Sequence, residues 1–96
     1  MIPKKLKVGG FVYNVIQTTE PLLLNNIVCG GIIHYTDCKI EIQIKNRSPQ
    51  IPQESLCHEM VHAMAYEANI NLNEDETTRF SHVLYQVIKD NKIKFE

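Results

Sequence analysis

SLCHEMVHAMAYE, residues Ser55 to Glu67, holds two of the four histidines in the chain, with a glutamate directly after the first. Read as a helix with His58 at zero, it places His62 at about 40°, Tyr66 at about 80° and Glu59 at about 100°. Leu56, Cys57, Met60, Val61, Ala63, Met64, Ala65 and Ala68 fill most of the remaining circumference. The stretch contains no Lys or Arg, whereas a solvated surface helix spreads them over a broad polar face. The pattern predicts a buried helix whose main polar stripe is His58, His62, Tyr66 and Glu59. Glu67 falls on the apolar side and reads as a structural acid. Cys57 faces away from the histidines.

Working outward, Pro49 and Pro52 mark the entry to this helix, which is expected from about Pro52 to Ala68 and is broken by NINLN (Asn69–Asn73). A second helix is expected from an N-cap at Asn73 to about Asp90. Its Phe80, Val83, Leu84, Val87 and Ile88 follow the spacing of a buried helical stripe. Upstream, KIEIQIK (Lys39–Lys45) alternates Ile40, Ile42 and Ile44 with polar residues, the period of a strand with one buried face. GIIHY (Gly31–Tyr35) pairs with it across a turn at Thr36-Asp37-Cys38. Lys7-Val8 and FVYNVI (Phe11–Ile16) flank Gly9-Gly10 as a hairpin, and EPLLLNN (Glu20–Asn26) reads as a helical turn after Pro21. Strands followed by helices indicate an α+β fold: a small antiparallel sheet of about three strands, then two packed helices.

The 96 residues are expected to form a single domain, 1–96, and 44% apolar with 22% charged residues is globular rather than disordered composition. A net charge of −1 gives no electrostatic hold on nucleic acid or an anionic membrane. No apolar run approaches the length of a membrane span. The lysines of MIPKKLKVGG are not followed by the apolar stretch of a secretion signal, so a cytoplasmic protein is expected. Cys29, Cys38 and Cys57 are an odd set without C-x-x-C spacing, which fits reduced thiols better than a disulfide framework.

His58-Glu59-Met60-Val61-His62 satisfies H-E-x-x-H. Residues four apart share a helix face, so both imidazoles can reach one Zn²⁺. Glu59 is displaced from the ligand positions yet near enough to take a proton from a water activated there. Catalytic zinc takes a third protein ligand, and Glu74, Asp75, Glu76 and His82 are the candidates downstream. The continuation that would supply a third His on the same helix is absent, because Ala65 and Ala68 stand at its Gly and His positions. On the second helix only Glu76 points with the apolar stripe, toward whatever that stripe covers, while Glu74, Asp75 and His82 turn away. Glu76 is therefore preferred. The competing reading makes it the fourth member of a capping box begun by Asn73, an account that serves all three acids and does not require one to head the stripe.

With those residues placed, the chain resembles the ImmA/IrrE-type zinc metallopeptidases, particularly the short versions encoded by phages and mobile elements. GIIHYTDCKIEIQI resembles that family's hairpin, SLCHEMVHAMAYE its metal-binding helix, and ETTRFSHVLYQVIKDN the following helix, whose E-A-N-x-F-A pattern carries the third ligand. Glu76 and Phe80 match its Glu and Phe, but Thr77 and Thr78 replace Ala-Asn, and the interval from the second His is short. The resemblance implies a zincin-like (gluzincin) core binding one Zn²⁺ through His58, His62 and Glu76, with Glu59 as catalytic base. It also implies peptide-bond hydrolysis in a regulatory protein such as a phage or mobile-element repressor. The partner expected is thus a protein or peptide, with no nucleic acid or membrane. The rival is a zinc-braced binding module that sequesters a regulator without cleaving it. His34, Tyr35 and Tyr66 are candidates for stabilising an oxyanion, and strand Lys39–Lys45, if at a sheet edge, would pair with an extended substrate.

Overall fold

The computed structural model describes residues 2–93 and 95. Its elements are β1 (Lys5–Val8), β2 (Phe11–Thr18), β3 (Leu22–Leu24), β4 (Ile27–Cys29), β5 (Gly31–His34), β6 (Lys39–Gln43), α1 (Gln50–Ala68) and α2 (Glu74–Asn91). The α+β class is as expected, with two differences in the sheet. It has four strands rather than three, in the order β1-β2-β6-β5, and it is mixed. β2 runs parallel to β6, while β1–β2 and β5–β6 are antiparallel. The parallel pairing arises because the chain leaves β2, builds a separate two-stranded ribbon, and returns through β5 before β6 fills the centre.

The period-2 pattern of β6 places Ile40 and Ile42 at 0% exposure, where they meet Tyr13 and Val15 of β2 and Leu56 and Ala63 of α1 in the core. α1 packs on this face of the sheet and also carries α2, so that sheet, α1 and α2 stack in that order. An inner helix between two layers buries most of its circumference, which explains the nearly all-apolar sequence of α1. It starts two residues before the expected Pro52, with Pro49 at the cap, and ends on Asn69, whose left-handed conformation (φ 56°) closes the last turn. No helix among the described residues is long and apolar enough to cross a membrane.

The stripe predicted on α2 does not face α1. Phe80 is 61% exposed and Val83 60%, whereas Thr77 and Ser81 are buried. The hydroxyl of Thr77 donates to the Asn73 carbonyl (2.9 Å) and that of Ser81 to the Thr78 carbonyl (2.8 Å), so both enter the interface without an unpaired polar group. Small side chains at i and i+4 on α2, Thr77 and Ser81, let the helices approach closely where bulky ones would hold them apart. The Tyr85 hydroxyl donates to Gln53 Oε1 (2.6 Å) and ties α2 to the start of α1.

Two turns have local causes. Gly9 has φ +60°, a conformation unfavourable for residues with a Cβ. Its missing Cβ leaves room for the carboxylate of Glu67, which lies against the β1–β2 turn, in keeping with the structural role expected for that acid. The segment expected to form a helical turn, Glu20–Asn26, is instead strand β3 and the start of a hairpin. Asn25 and Asn26 both have positive φ (52° and 65°), the geometry of a two-residue type I′ connection, which Asn tolerates.

Candidate metal centre

α1 presents His58 and His62 one turn apart toward the start of α2, and there they meet Glu74. His58 Nε2 lies 2.8 Å from Glu74 Oε1 and His62 Nε2 lies 3.0 Å from the same oxygen. The imidazole centroids are 4.8 Å apart, with the rings tilted by 73°. Among the described residues, His58, His62 and Glu74 are the group whose donor atoms converge as metal ligands do, all within 4.8 Å of one another. Donors about 2.0–2.1 Å from a tetrahedral ion stand roughly 3.3 Å apart, so both nitrogens are within about half an ångström of ligand spacing to that oxygen. The donor set of two imidazoles and one carboxylate is that of a catalytic zinc site, which leaves a position for water or substrate, and not of a closed Cys-rich structural site. The residues fit the ion.

Glu76, the ligand expected from sequence, is not brought to the histidines. The Glu76 N–H donates to Asn73 Oδ1 (2.7 Å), and the Asn73 N–H donates to Glu76 Oε1 (2.9 Å). Both halves of a capping box are present. The physical reason is the orientation of α2. With Thr77 and Ser81 inward, Glu74 at i−3 from Thr77 faces α1, while Glu76 lies with Phe80 and Val83 on the outer side. Glu76 does share a face with the apolar stripe, but that stripe is not the face that meets α1. Two short hydroxyl residues at helical spacing, Thr77 and Ser81, mark the face that is buried.

Burial alone would raise the Glu74 carboxyl, but hydrogen bonds from His58 and His62 outweigh it and hold the group below its ordinary value. Glu59 behaves oppositely. It is 6% exposed, and burial, followed by repulsion from Glu74, pushes its carboxyl up to about 7 in the metal-free protein. Its carboxylate lies against Gly31 on β5. A Cβ at Gly31 would stand 3.2 Å from Glu59 Oε2 and 3.1 Å from Ile42 Cδ1, so glycine is what lets the strand pass so close to the motif.

These groups line one end of a cleft of about 700 Å³ between β5, the β3–β4 hairpin and α2. Tyr35 lines it too, its ring stacked on Tyr66 at 4.4 Å between centroids. Burial, and next the charge of Glu59, raise the Tyr35 hydroxyl above its usual value, so it stays protonated. His34 lies apart, with Nε2 2.7 Å from Glu41 Oε1. His82, which the wheel turned away, lines the cleft from α2 but lies outside the ligand cluster. Cys29, Cys38 and Cys57 are free thiols, and Cys57 is buried. β6 lies between β2 and β5, so the edge beside the cleft is β5 and not the expected Lys39–Lys45 strand. The Gln43 N–H donates to the Gly30 carbonyl (2.9 Å). The alternation of an antiparallel ladder then aims the backbone groups of Gly31 and Ile33 off the sheet, at the open edge. No protein-family model, curated protein or solved structure matches this chain, and the site stands on its own residues and geometry.

Proposed function

We propose that this chain is a zinc-dependent endopeptidase in which His58, His62 and Glu74 hold one Zn²⁺ and Glu59 is the catalytic base. The observation that carries the reading is the convergence of His58 Nε2, His62 Nε2 and Glu74 Oε1 at the end of a cleft that also receives the buried carboxylate of Glu59. A zinc ion held there supplies Lewis acidity, polarising a carbonyl and acidifying a water. Glu59 takes a proton from the attacking water and later delivers it to the departing amine nitrogen, so the C–N bond is exchanged for C–O with protons in balance. Burial disfavours the charged form of Glu59, which strengthens it as a proton acceptor and suits a group that first accepts and then donates. Of His34, Tyr35 and Tyr66, Tyr35 is the one that lines the cleft, and its ring stacks on Tyr66, which favours it as the oxyanion donor.

The open edge of β5 supports an extended peptide as substrate, bound through the backbone groups of Gly31 and Ile33 by strand addition. The likeness of GIIHYTDCKIEIQI, SLCHEMVHAMAYE and ETTRFSHVLYQVIKDN to the ImmA/IrrE-type sequences supports a zincin-like core. It also supports a regulatory protein such as a phage or mobile-element repressor as the target, with Glu74 in place of the Glu76 that matches the family pattern. A second reading, the zinc-braced module that sequesters a regulator, draws on the exposed outer stripe of α2, where Phe80 and Val83 offer a docking face. Zinc content and cleavage of a candidate repressor by wild type and Glu59→Gln separate the two. The peptidase reading expects one zinc in both proteins and cleavage only by wild type. Full cleavage by Glu59→Gln would refute the mechanism, and stoichiometric zinc without cleavage by either would favour the module.

A further inference from the structure

The β3–β4 hairpin is a two-stranded ribbon outside the main sheet. Its register pairs Leu22 with Cys29, Leu23 with Val28 and Leu24 with Ile27. Directly opposed residues share a face, so Leu22, Cys29, Leu24 and Ile27 lie on one side and Leu23 and Val28 on the other. The first side is the one that borders the cleft, where Leu24, Ile27 and Cys29 are lining residues. Burial falls along it from base to tip. Leu22 is 7% exposed, Leu24 54% and Ile27 66%. The tip residues therefore border the cleft with more than half of their surface exposed. An isolated hairpin is marginal by itself, yet this one is held at its base, where the Gln43 side-chain amide donates to the Glu20 carbonyl. Its type I′ turn also fixes the twist of the two strands.

We infer that the inner face of this hairpin, Leu24 and Ile27 with Ile33 of β5, is a substrate subsite for an aliphatic or aromatic side chain of an extended peptide lying along β5. The inference rests on the peptidase reading for its chemistry but on the hairpin for its content. Three observations select this occupant. The open backbone edge of β5 runs through the same cleft as the ligand cluster, so a strand paired there passes the Glu59 carboxylate. Alternate side chains of such a strand point to one side, toward the hairpin. The hairpin itself offers Leu24 and Ile27 with no charged side chain on its cleft face, so a buried Asp or Lys there would lose its water without a partner. The polar wall, Thr78, Ser81 and His82, is supplied by α2.

The experiment uses the zinc-loaded chain and a proteome-derived peptide mixture, with cleavage products read by mass spectrometry for wild type, Leu24→Ser/Ile27→Ser and Ile27→Thr. Both positions are exposed and outside the ligand cluster, and Ile27→Thr keeps strand propensity, so zinc stoichiometry should be unchanged. Wild type should enrich Leu, Ile, Val or Phe at one position beside the scissile bond. The double variant should lower kcat/KM on those peptides at least about tenfold and flatten the preference, with Ile27→Thr intermediate. Cleavage without an apolar preference, or a preference unchanged in the variants, overturns the subsite. Zinc-loaded Glu59→Gln, titrated with fluorescein-labelled Ser/Thr peptides carrying one Leu or one Asp, separates the subsite from the chemistry. If wild type cleaves nothing, the peptidase reading fails. The subsite then stands if the Leu peptide binds more tightly through Leu24 and Ile27, and falls if the two peptides bind alike or not at all.

Discussion

Glu74 and Glu76 stand two residues apart at the start of α2 and do different work, so replacing each by alanine separates ligand from cap. Glu76→Ala removes one half of the capping box and leaves the histidines and Glu74 in place. A lost cap costs about 1 kcal/mol, and for a chain of this size that lowers Tm by roughly 4–8 °C per kcal/mol. Zinc affinity should change by less than about threefold, which is under 0.7 kcal/mol. Glu74→Ala removes the oxygen that both Nε2 atoms face at 2.8 and 3.0 Å. Loss of even an outer-shell partner weakens metal binding by about 10–100-fold, and losing one of three direct ligands should weaken it at least about 100-fold. At saturating zinc in wild type that removes about 2.7 kcal/mol of metal-derived stabilisation. The metal-free variant should change much less, because Glu74 is two-thirds exposed. The assay is a chelator-competition titration of zinc for the three proteins, with thermal unfolding of each in excess zinc and in excess chelator. Wild type and Glu76→Ala should gain similar Tm from zinc, and Glu74→Ala almost none. Retained tight binding in Glu74→Ala together with loss in Glu76→Ala would refute this assignment of the site.

The metal-free protein should show a pH signature from Glu59. Its folded carboxyl sits at about 7, above the ordinary carboxylate value of 4.5, so between those values the folded state binds more protons than the unfolded one, and stability falls as pH rises through the window by about 3 kcal/mol. Denaturant unfolding in chelator at both ends of the window should show this fall in wild type and lack it in Glu59→Gln; an equal fall in both would place its source elsewhere. Gly31→Ala introduces a Cβ 3.2 Å from Glu59 Oε2 and should cost about 1–3 kcal/mol through overpacking. It should lower kcat more than it raises KM, measured on any cleaved peptide. Gly9→Ala forces a Cβ onto a residue at φ +60° and into the space of the Glu67 carboxylate. It should cost about 1–2 kcal/mol from the backbone alone, with zinc affinity unaffected in the same titration.

The two acids of the site occupy opposite electrostatic positions although both belong to one centre. Glu74 is held ionised by two imidazole partners, and Glu59 is held back from ionising by burial and by Glu74 itself. Two carboxyls whose environments drive them apart can serve as ligand and base side by side. Glu74→Ala should therefore also lower the Glu59 value in the metal-free protein, which shortens the pH window over which its stability falls.

Several features were legible in the residues alone because they depend on local periodicity. The helix over SLCHEMVHAMAYE, the adjacency of His58 and His62, the displaced Glu59 and the alternating Ile40 and Ile42 all follow from the repeat of a helix or a strand, and each lies where that repeat places it. Burial of the central part of α1 could be read from its sequence, since a helix with little polar circumference needs cover on most sides, though Met64 and Ala68 of the expected apolar arc are exposed. Other features depended on which surfaces meet. The face that α2 turns to α1 was decided by how closely two helices can pack, and Thr77 and Ser81 are buried where the bulkier Phe80 and Val83 are exposed. That choice rotated Glu74 into the site and left Glu76 in the cap. Strand order likewise was not a property of any one strand. β6 became central and β5 the open edge only when β6 paired in parallel with β2. Sequence by itself determined the placing of His58, Glu59 and His62, because i, i+1 and i+4 are fixed by the helix. Only the tertiary structure decided which acid stands beside the histidines and which edge borders the cleft, because both are set by contacts between elements that no single periodicity encodes.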